Sequence, residues 1–440
     1  MNIYALSSGR GPSGIAIIRL SGKDTVQIAE LISKKKNIKS KNTNLCKFYD
    51  PSNNNLIDEG LLLLFPAPNS FTGDDLAEFH IHGSNAVITY FLKVLSEQDN
   101  SRLAEPGEFT KIAFQNNKID LIKAESIADL IHSETELQRQ QAIKLVQGSA
   151  SKYYNNLREK LIKSLGYIEA KIDFAEDDLP DSVLKEVQKS IKEVYNDIKR
   201  ILEDHKVGEK IRGGFRVSII GGVNAGKSSL LNLLSKRDVA IVSEEEGTTR
   251  DVIETYLNVD GYPVIFADTA GIRDSNNEVE IKGISLAISK SNEADLNIIM
   301  IDNSSKQIEP KVRNLINKNS IVVLNKSDIN SKPNHNFKES ILLSVKKNKN
   351  IDQLINKLKD KLRKKFIISD DVLVTRERHR EKLHSCLAEI NNFLKKDQNK
   401  DIEMAAEDLR LATRHLGGIV GKVDVEEILD SIFKDFCIGK

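Results

Sequence analysis

The hydrophobic pattern of this 440-residue chain changes character along its length. Over residues 15–22 and 61–83, IAIIRLSG and LLLLFPAPNSFTGDDLAEFHIHG set apolar runs between Gly, Pro, Asn and Ser, the pattern of strands closed by turns. From about residue 118 the period lengthens. Ile127, Leu130, Ile131, Leu137, Ile143 and Leu145 follow the three-to-four spacing of one helix face, and residues 182–214 repeat it. From 214 to 365 the runs FRVSII, YPVIFADTAG, LNIIMID and SIVVLNKSD alternate with helical stretches, which predicts a parallel, doubly wound sheet. Helical periodicity then returns in REKLHSCLAEINNFLKK and IEMAAEDLRLATRHLGGI.

The predicted fold is therefore multidomain. A small α+β domain spans 1–117. An α-helical domain is split into 118–213 and 366–440, and an α/β domain over 214–365 is inserted into it. Insertion is physically reasonable when the ends of the insert lie close together.

Composition changes this picture little. Hydrophobic residues make up 40% and charged residues 29%, ordinary for a globular chain. The net charge of +1 means that a nucleic-acid partner would have to use a local basic patch. Absence of a run of about 18 apolar residues predicts no transmembrane helix and no membrane partner. MNIYALSSGRGPSG lacks the basic-then-apolar order of a signal peptide. The three cysteines, Cys46, Cys386 and Cys437, have no metal-ligand spacing and suggest a reducing compartment, with the cytoplasm as the expected location.

Chemistry enters with GGVNAGKS, Gly221 to Ser228, which follows a strand and opens a helix, as G-x-x-x-x-G-K-[ST] requires. The glycines of this loop, which also holds Asn224, Ala225 and Gly226, let the backbone wrap phosphates. Lys227 brings charge to the β- and γ-phosphates, the Ser228 hydroxyl suits Mg²⁺, and Ser229 follows in the helix N-terminus. GTTRD supplies Gly247, Thr248 and Thr249, the last as a second Mg²⁺ ligand. DTAG places Asp268, Thr269, Ala270 and Gly271 at a strand end, facing the metal and the γ-phosphate. NKSD, Asn325, Lys326, Ser327 and Asp328, selects guanine: a carboxylate at Asp328 accepts from N1–H and the 2-amino group, donors that adenine lacks in that geometry. SVK, Ser344, Val345 and Lys346, fits the loop that touches guanine O6. The set reads as a GTP site.

One position breaks the pattern. Ile272 follows DTAG where many GTPases carry a glutamine that orients the attacking water, and its side chain has no polar atom. Asn224 and the loop Ala240 to Asp251, which includes Ser243, Glu244, Glu245 and Glu246, offer oxygens for a monovalent cation beside the phosphates. Glu278 and Glu280 are both candidates for positioning water, and spacing does not choose between them. HIH, His80 to His82, places two imidazoles on one strand face without an evident third ligand. Cys437 suits either an apolar anchor or a nucleophile.

PNSFTGDD, EPGEFTKIAFQNNKIDLIKAESIADLI, GVNAGKSSLLN, GTTRD, DTAGIRD, AAEDLR and the terminal FCIGK together resemble the MnmE (TrmE) family of tRNA-modification GTPases over nearly the whole chain. The resemblance implies a folate-binding N-terminal domain that also dimerises, a helical domain and an inserted G domain. It implies a homodimer that forms a heterotetramer with the flavoprotein MnmG. Together they would attach an aminomethyl-type group to C5 of the wobble uridine (position 34) of certain tRNAs. The one-carbon donor would be 5,10-methylene-tetrahydrofolate, with 5-formyl-tetrahydrofolate as its analogue. By the same resemblance one K⁺ per subunit would be held by Asn224, Ser243, Glu245 and Thr248. Glu280 would orient the catalytic water, and Arg19, Glu78, Lys118 and Lys440 would bind the folate. The P-loop departs from the family's GRPNVGKS-like forms, and SVK replaces SAK, with the functional atoms kept. A GTP-switched ribosome or RNP assembly factor without folate chemistry is the alternative reading.

Overall fold

The structure is a computed structural model. It describes residues 1–9, 11–40, 42–173, 181–222, 224–236, 254–267, 291–305, 307–308, 310–335, 337, 339–366, 373–397, 401–423, 429, 432–433, 436 and 439. The chain divides into two compact units. The first joins Met1–Ala128, Val146–Ala175 and Asp397–Lys440; the second joins Asp129–Leu145 and Glu176–Lys396.

The first unit is built on a six-stranded sheet in the order β3-β4-β5-β2-β1-β6. The strands are β1 Asn2–Leu6, β2 Ser13–Ser21, β3 Asn44–Tyr49, β4 Leu56–Phe65, β5 Leu76–Gly83 and β6 Ser101–Leu103. All pairs are antiparallel except β1–β6. Side chains alternate across a strand, so Ile18 and Leu20 of β2 and Phe79 and Ile81 of β5 share one face. There they pack with Ile28, Ile32 and Phe91 from the helices Thr25–Ser33 and Asn85–Ser96. Phe48, Phe79 and Phe91 form the centre of this core, Phe48 meeting each of the other two edge-on at 5.6 Å. The same alternation puts Arg19, Glu78, His80 and His82 on the opposite face.

Two helices of this unit, Ser149–Asp173 and Ile402–Val420, pack on each other through Tyr154, Leu157, Leu161 and Ile168, and Leu409, Ala412, Leu416 and Ile419. Leu429, Phe433 and Phe436 of the C-terminal segment bury against Leu121, Ala124 and Ala128. The Gly439 carbonyl accepts a hydrogen bond from Ser7 Oγ at 2.8 Å, which fixes the tail against the end of β1.

The second unit holds a six-stranded sheet in the order β12-β11-β10-β7-β9-β8. These are β7 Phe215–Gly221, β8 Glu254–Val259, β9 Tyr262–Ala267, β10 Leu296–Asp302, β11 Ser320–Asn325 and β12 Ile341–Leu342. Apolar residues run on without alternation because both faces are buried. Ile219, Ile298 and Met300 join one core with Leu230, Leu354 and Leu358, while Ile220, Ile299 and Ile301 join another with Val312. The helices Asp181–Leu202 and Glu377–Lys395 pack together. Val187, Ile191, Val194 and Ile198 are buried on one; Leu383, Cys386, Ile390 and Phe393 on the other.

Two sequence expectations are corrected. The sheet is not wholly parallel, because β8 runs antiparallel to β9. Asp260 and Gly261 connect them, with φ of 50° and 91°, and the Asn258 side chain accepts from the Gly261 N–H at 2.7 Å. A two-residue turn of this kind joins only antiparallel strands. Likewise, residues 121–146 are not one helix but two, Leu121–Ile131 and Glu136–Val146. Thr135 starts the second: its hydroxyl accepts from Gln138 N at 3.4 Å, and Gln138 Oε1 accepts from Thr135 N at 3.1 Å. That is a capping box, and it ends the period that Ile127, Leu130 and Ile131 begin. Ile131 is accordingly exposed.

Candidate functional site

The site forms where three strand ends of the second unit converge. β7 delivers the chain to the glycine loop, and the helix Lys227–Lys236 leaves it. Asn224 and Gly226 both take positive φ, 58° and 98°. Asparagine tolerates the left-handed region, whereas at Gly226 a Cβ would also run into Asn325 Nδ2. Lys227 folds back over the loop and donates to the Gly221 and Gly222 carbonyls at 2.9 and 3.0 Å. Ser228 and Ser229 lie in the first turn of the helix, and Ala225 is buried beneath the loop.

Asn325, the last residue of β11, ties the parts together. Its Nδ2 donates to the Ala225 carbonyl at 2.8 Å, and its Oδ1 accepts from Val345 N at 3.1 Å. It is 4% exposed, so neither bond has water as a ready substitute. Asn325→Ala leaves a buried N–H and carbonyl unpaired and is expected to cost about 2 kcal/mol of stability. A thermal melt of the full chain checks this, since an unchanged midpoint excludes the role.

Asn224, Gly226, Asn325, Lys326, Asp328, Val345 and Lys346 line one cavity of about 700 Å³, joined by Ser229, Asn232, Leu233, Lys236 and Ile329. Asp328 is exposed at its mouth. Ser344 Oγ donates to Asp328 Oδ1 at 2.6 Å, and this bond holds the carboxyl below its ordinary range, so it is ionised and acceptor-only. Ser327 is buried, its N–H donating to the Leu343 carbonyl at 3.0 Å. Lys326 has a φ of 67°, and its ammonium donates to Asp302 Oδ2 at 2.6 Å. Burial would raise the Asp302 carboxyl, but hydrogen bonds from Lys326 and Ser304 outweigh it and hold it low.

Of the sequence-predicted residues, Ser243, Glu244, Glu245, Glu246, Gly247, Thr248 and Thr249 lie outside the described residues. So do Asp268, Thr269, Ala270, Gly271, Ile272, Glu278, Glu280, Cys437 and Lys440. Sequence reasoning missed Asp302, Asn232, Leu233, Lys236 and Ile329. Asp302, the polar residue closing the apolar run LNIIMID, was the signal available.

A second constellation lies in the first unit. Arg19 of β2 stands opposite Glu78 of β5, and its Nε and Nη2 donate to Glu78 Oε1 at 3.1 and 2.7 Å. The guanidinium carbon lies 5.7 Å from the Phe71 ring centre and 5.6 Å from that of Phe109. His80 Nε2 is 3.7 Å from Glu78 Oε2, beyond hydrogen-bond reach. His82 Nδ1 instead faces Asp58 Oδ1 at 2.8 Å. Lys118 Nζ donates to the Pro68 carbonyl at 2.6 Å, in the loop that also carries Phe71. Arg19 and Glu78 are thus brought together, with Lys118 fastened to the same loop that covers the arginine. Among the described residues no group of three or more His, Cys, Asp or Glu side chains is placed to hold a metal, and no helix is long and apolar enough to cross a membrane.

A family model described as the GTP-binding protein TrmE N-terminus matches residues 2–118, and one described as the MnmE helical domain matches residues 121–437. Over its whole length the chain is 58% identical to the tRNA modification GTPase MnmE of Pelagibacter ubique (strain HTCC1062), covering 100% of both chains. It is 41% identical to the protein of that name from Rickettsia bellii (strain RML369-C) and 42% identical to that of Parvibaculum lavamentivorans, in each case with 100% of this chain and 99% of the relative covered.

Proposed function

The chain belongs to the MnmE (TrmE) family of tRNA modification GTPases, and from that premise we propose that it hydrolyses GTP as part of a tRNA-modifying enzyme. The observation that carries the nucleotide reading is the cavity in which the glycine loop meets Asn325, Lys326, Asp328 and Lys346. Its volume, about 700 Å³, suits a nucleotide. Phosphates would lie against the N–H groups of the glycine loop and the helix N-terminus, which favour anions. Lys227 would exchange its bonds to the Gly221 and Gly222 carbonyls for the β- and γ-phosphates, a move the length of its stem permits. Asp328, ionised and oriented by Ser344, would accept the two guanine N–H donors.

Of the residues that would hold the two cations, Ser228 and Asn224 are among those the structure describes. Ser228 lies in the first turn of the helix that follows the glycine loop, and Asn224 is exposed at the cavity with an amide oxygen to offer. Ser228 with Thr249 would hold Mg²⁺, and Asn224 with Ser243, Glu245 and Thr248 would hold K⁺; bound there, both supply positive charge against the phosphates. Hydrolysis is expected to be several-fold or more faster in K⁺ than in Na⁺ at equal ionic strength, and Asn224→Ala to remove the difference while nucleotide still binds. Phosphate release measured in the two salts tests this; equal rates for the unaltered chain refute it.

The tRNA chemistry is a further part of the reading. Arg19, Glu78 and Lys118 fit a folate: a carboxylate for the aminopyrimidine edge of the pterin, cations for carbonyls and carboxylates, and the rings of Phe71 and Phe109 beside them. Lys440 would complete the set from a tail that Gly439 fastens near β2's neighbour β1. The chain would act as a homodimer with MnmG, delivering a one-carbon unit from 5,10-methylene-tetrahydrofolate to C5 of wobble uridine. Titration of the full chain with 5-formyl-tetrahydrofolate separates this from a GTP-switched assembly factor. Binding that Glu78→Gln abolishes supports the folate reading, and no binding by the unaltered chain counts against it.

A further inference from the structure

Lys326 is held by a carboxylate outside the nucleotide cavity. The residue lines the cavity, yet its ammonium is committed to Asp302 Oδ2 at 2.6 Å. The other carboxylate oxygen, Oδ1, is itself fixed by Ser304 N at 2.8 Å and Ser304 Oγ at 2.6 Å. Asp302 ends β10 directly opposite Asn325, which ends β11, so backbone pairing sets its distance from Lys326. Its neighbour Asn303 is fully buried and pins the chain beyond Asp328: Nδ2 donates to the Asn330 and Lys332 carbonyls at 2.9 Å each, and Oδ1 accepts from Asn334 N at 2.9 Å. The end of β10 therefore holds both sides of the guanine loop. Lys326 also sits at a φ of 67°, a conformation that a lysine keeps only where its surroundings fix it.

We infer that Asp302 is a positioning residue for base recognition: it draws the Lys326 ammonium aside so that the methylene stem, rather than the charge, forms the platform against which the purine lies. Long cationic side chains commonly cover apolar surface with their stems while the head group is paired elsewhere. The arrangement also keeps a free cation from competing with Asp328 for contact at the base. This inference rests on the guanine-nucleotide reading of the cavity and adds a residue to it.

The test is a double-mutant cycle on the full chain, read as the dissociation constants of fluorescent GDP and ADP analogues. Asp302→Asn is expected to weaken GDP binding about tenfold, the scale of a lost charge-assisted hydrogen bond. Lys326→Met keeps the stem and is expected to lose less than about threefold. In the Lys326→Met background, Asp302→Asn is expected to cost nothing further, whereas a general folding defect at Asp302 would persist there. Three results overturn the inference: Asp302→Asn binding GDP within twofold of the unaltered chain, an undiminished tenfold loss in the double variant, or a loss above about thirtyfold in Lys326→Met, which would make the charge the binding element. If Asp302→Asn does not fold, the Lys326→Met value still decides. Equal affinity of the unaltered chain for GDP and ADP would instead remove the guanine reading itself.

Discussion

Asp328→Asn is expected to turn a guanine-nucleotide protein into one that prefers xanthine nucleotides, weakening GTP by about 10²-fold or more and strengthening xanthosine triphosphate correspondingly. The carboxylate accepts hydrogen bonds at both oxygens, and guanine presents two donors to it. Xanthine replaces the 2-amino group by a carbonyl, so it leaves the native carboxylate facing an oxygen. An amide at the same position donates from one side and accepts from the other, which matches xanthine and mismatches guanine. Ser344 donates to Asp328 Oδ1 in the unaltered protein and can donate to an amide oxygen at the same place, so the loop's geometry should survive the change. That same bond keeps the Asp328 carboxyl below its usual range. The ionised form is favoured, so the unaltered protein's preference for GTP over xanthosine triphosphate should not weaken through protonation of Asp328 as pH falls from 8 to 5. Competition between the two nucleotides for the Asp328→Asn protein is the measurement. A variant that still favours GTP by a wide margin removes Asp328 from base recognition.

Glu280→Ala is expected to bind GTP about as tightly as the unaltered protein and to turn over ~10²-fold or more slowly, the scale of losing a positioned general base. Ile272 occupies the place after DTAG and has no polar atom, so the group that orients water must come from elsewhere. Glu280 lies eight residues further along, beyond an Asn-Asn pair, and we propose it as the group that orients the water, as the family resemblance implies. Contacts made mainly in the transition state lower kcat and spare binding. Single-turnover phosphate release in K⁺, set beside Glu278→Ala, is the check. A Glu280→Ala rate within a few-fold of the unaltered protein moves the role to Glu278 or Arg273.

What the sequence could reveal was what depends on neighbours along the chain. FRVSII, LNIIMID and SIVVLN read as buried parallel strands because burial on both faces leaves no polar register, and they are β7, β10 and β11. The glycine loop, NKSD and SVK were legible as motifs, and the first two meet the third around one cavity. Two local signals were also present and carry their own physics. Asp260–Gly261 between alternating apolar positions is a hairpin turn, and Thr135 with Gln138 is a capping box. Each overrode a longer periodic pattern, because turn and cap chemistry acts on particular residues while periodicity only averages over a window.

Contacts between distant residues were not legible. Asn325 bonds the Ala225 carbonyl 100 positions away, and nothing in NKSD announces that its asparagine braces the phosphate loop. Arg19 and Glu78 are 59 positions apart and become partners only through the pairing of β2 with β5. Asp302 reaches Lys326 across adjacent strand ends, a relation fixed by sheet order. In each case the sequence supplies the chemistry of both groups, and the topology supplies the distance.

We propose that nucleotide hydrolysis by this chain serves modification of the tRNA wobble base. Mass analysis of nucleosides from tRNA of cells lacking the chain tests it most directly. The prediction is loss of the aminomethyl-type group at C5 of wobble uridine, restored by the intact gene and not by the Glu280→Ala form. Wobble uridine that keeps its full modification in the deleted cells would contradict this role.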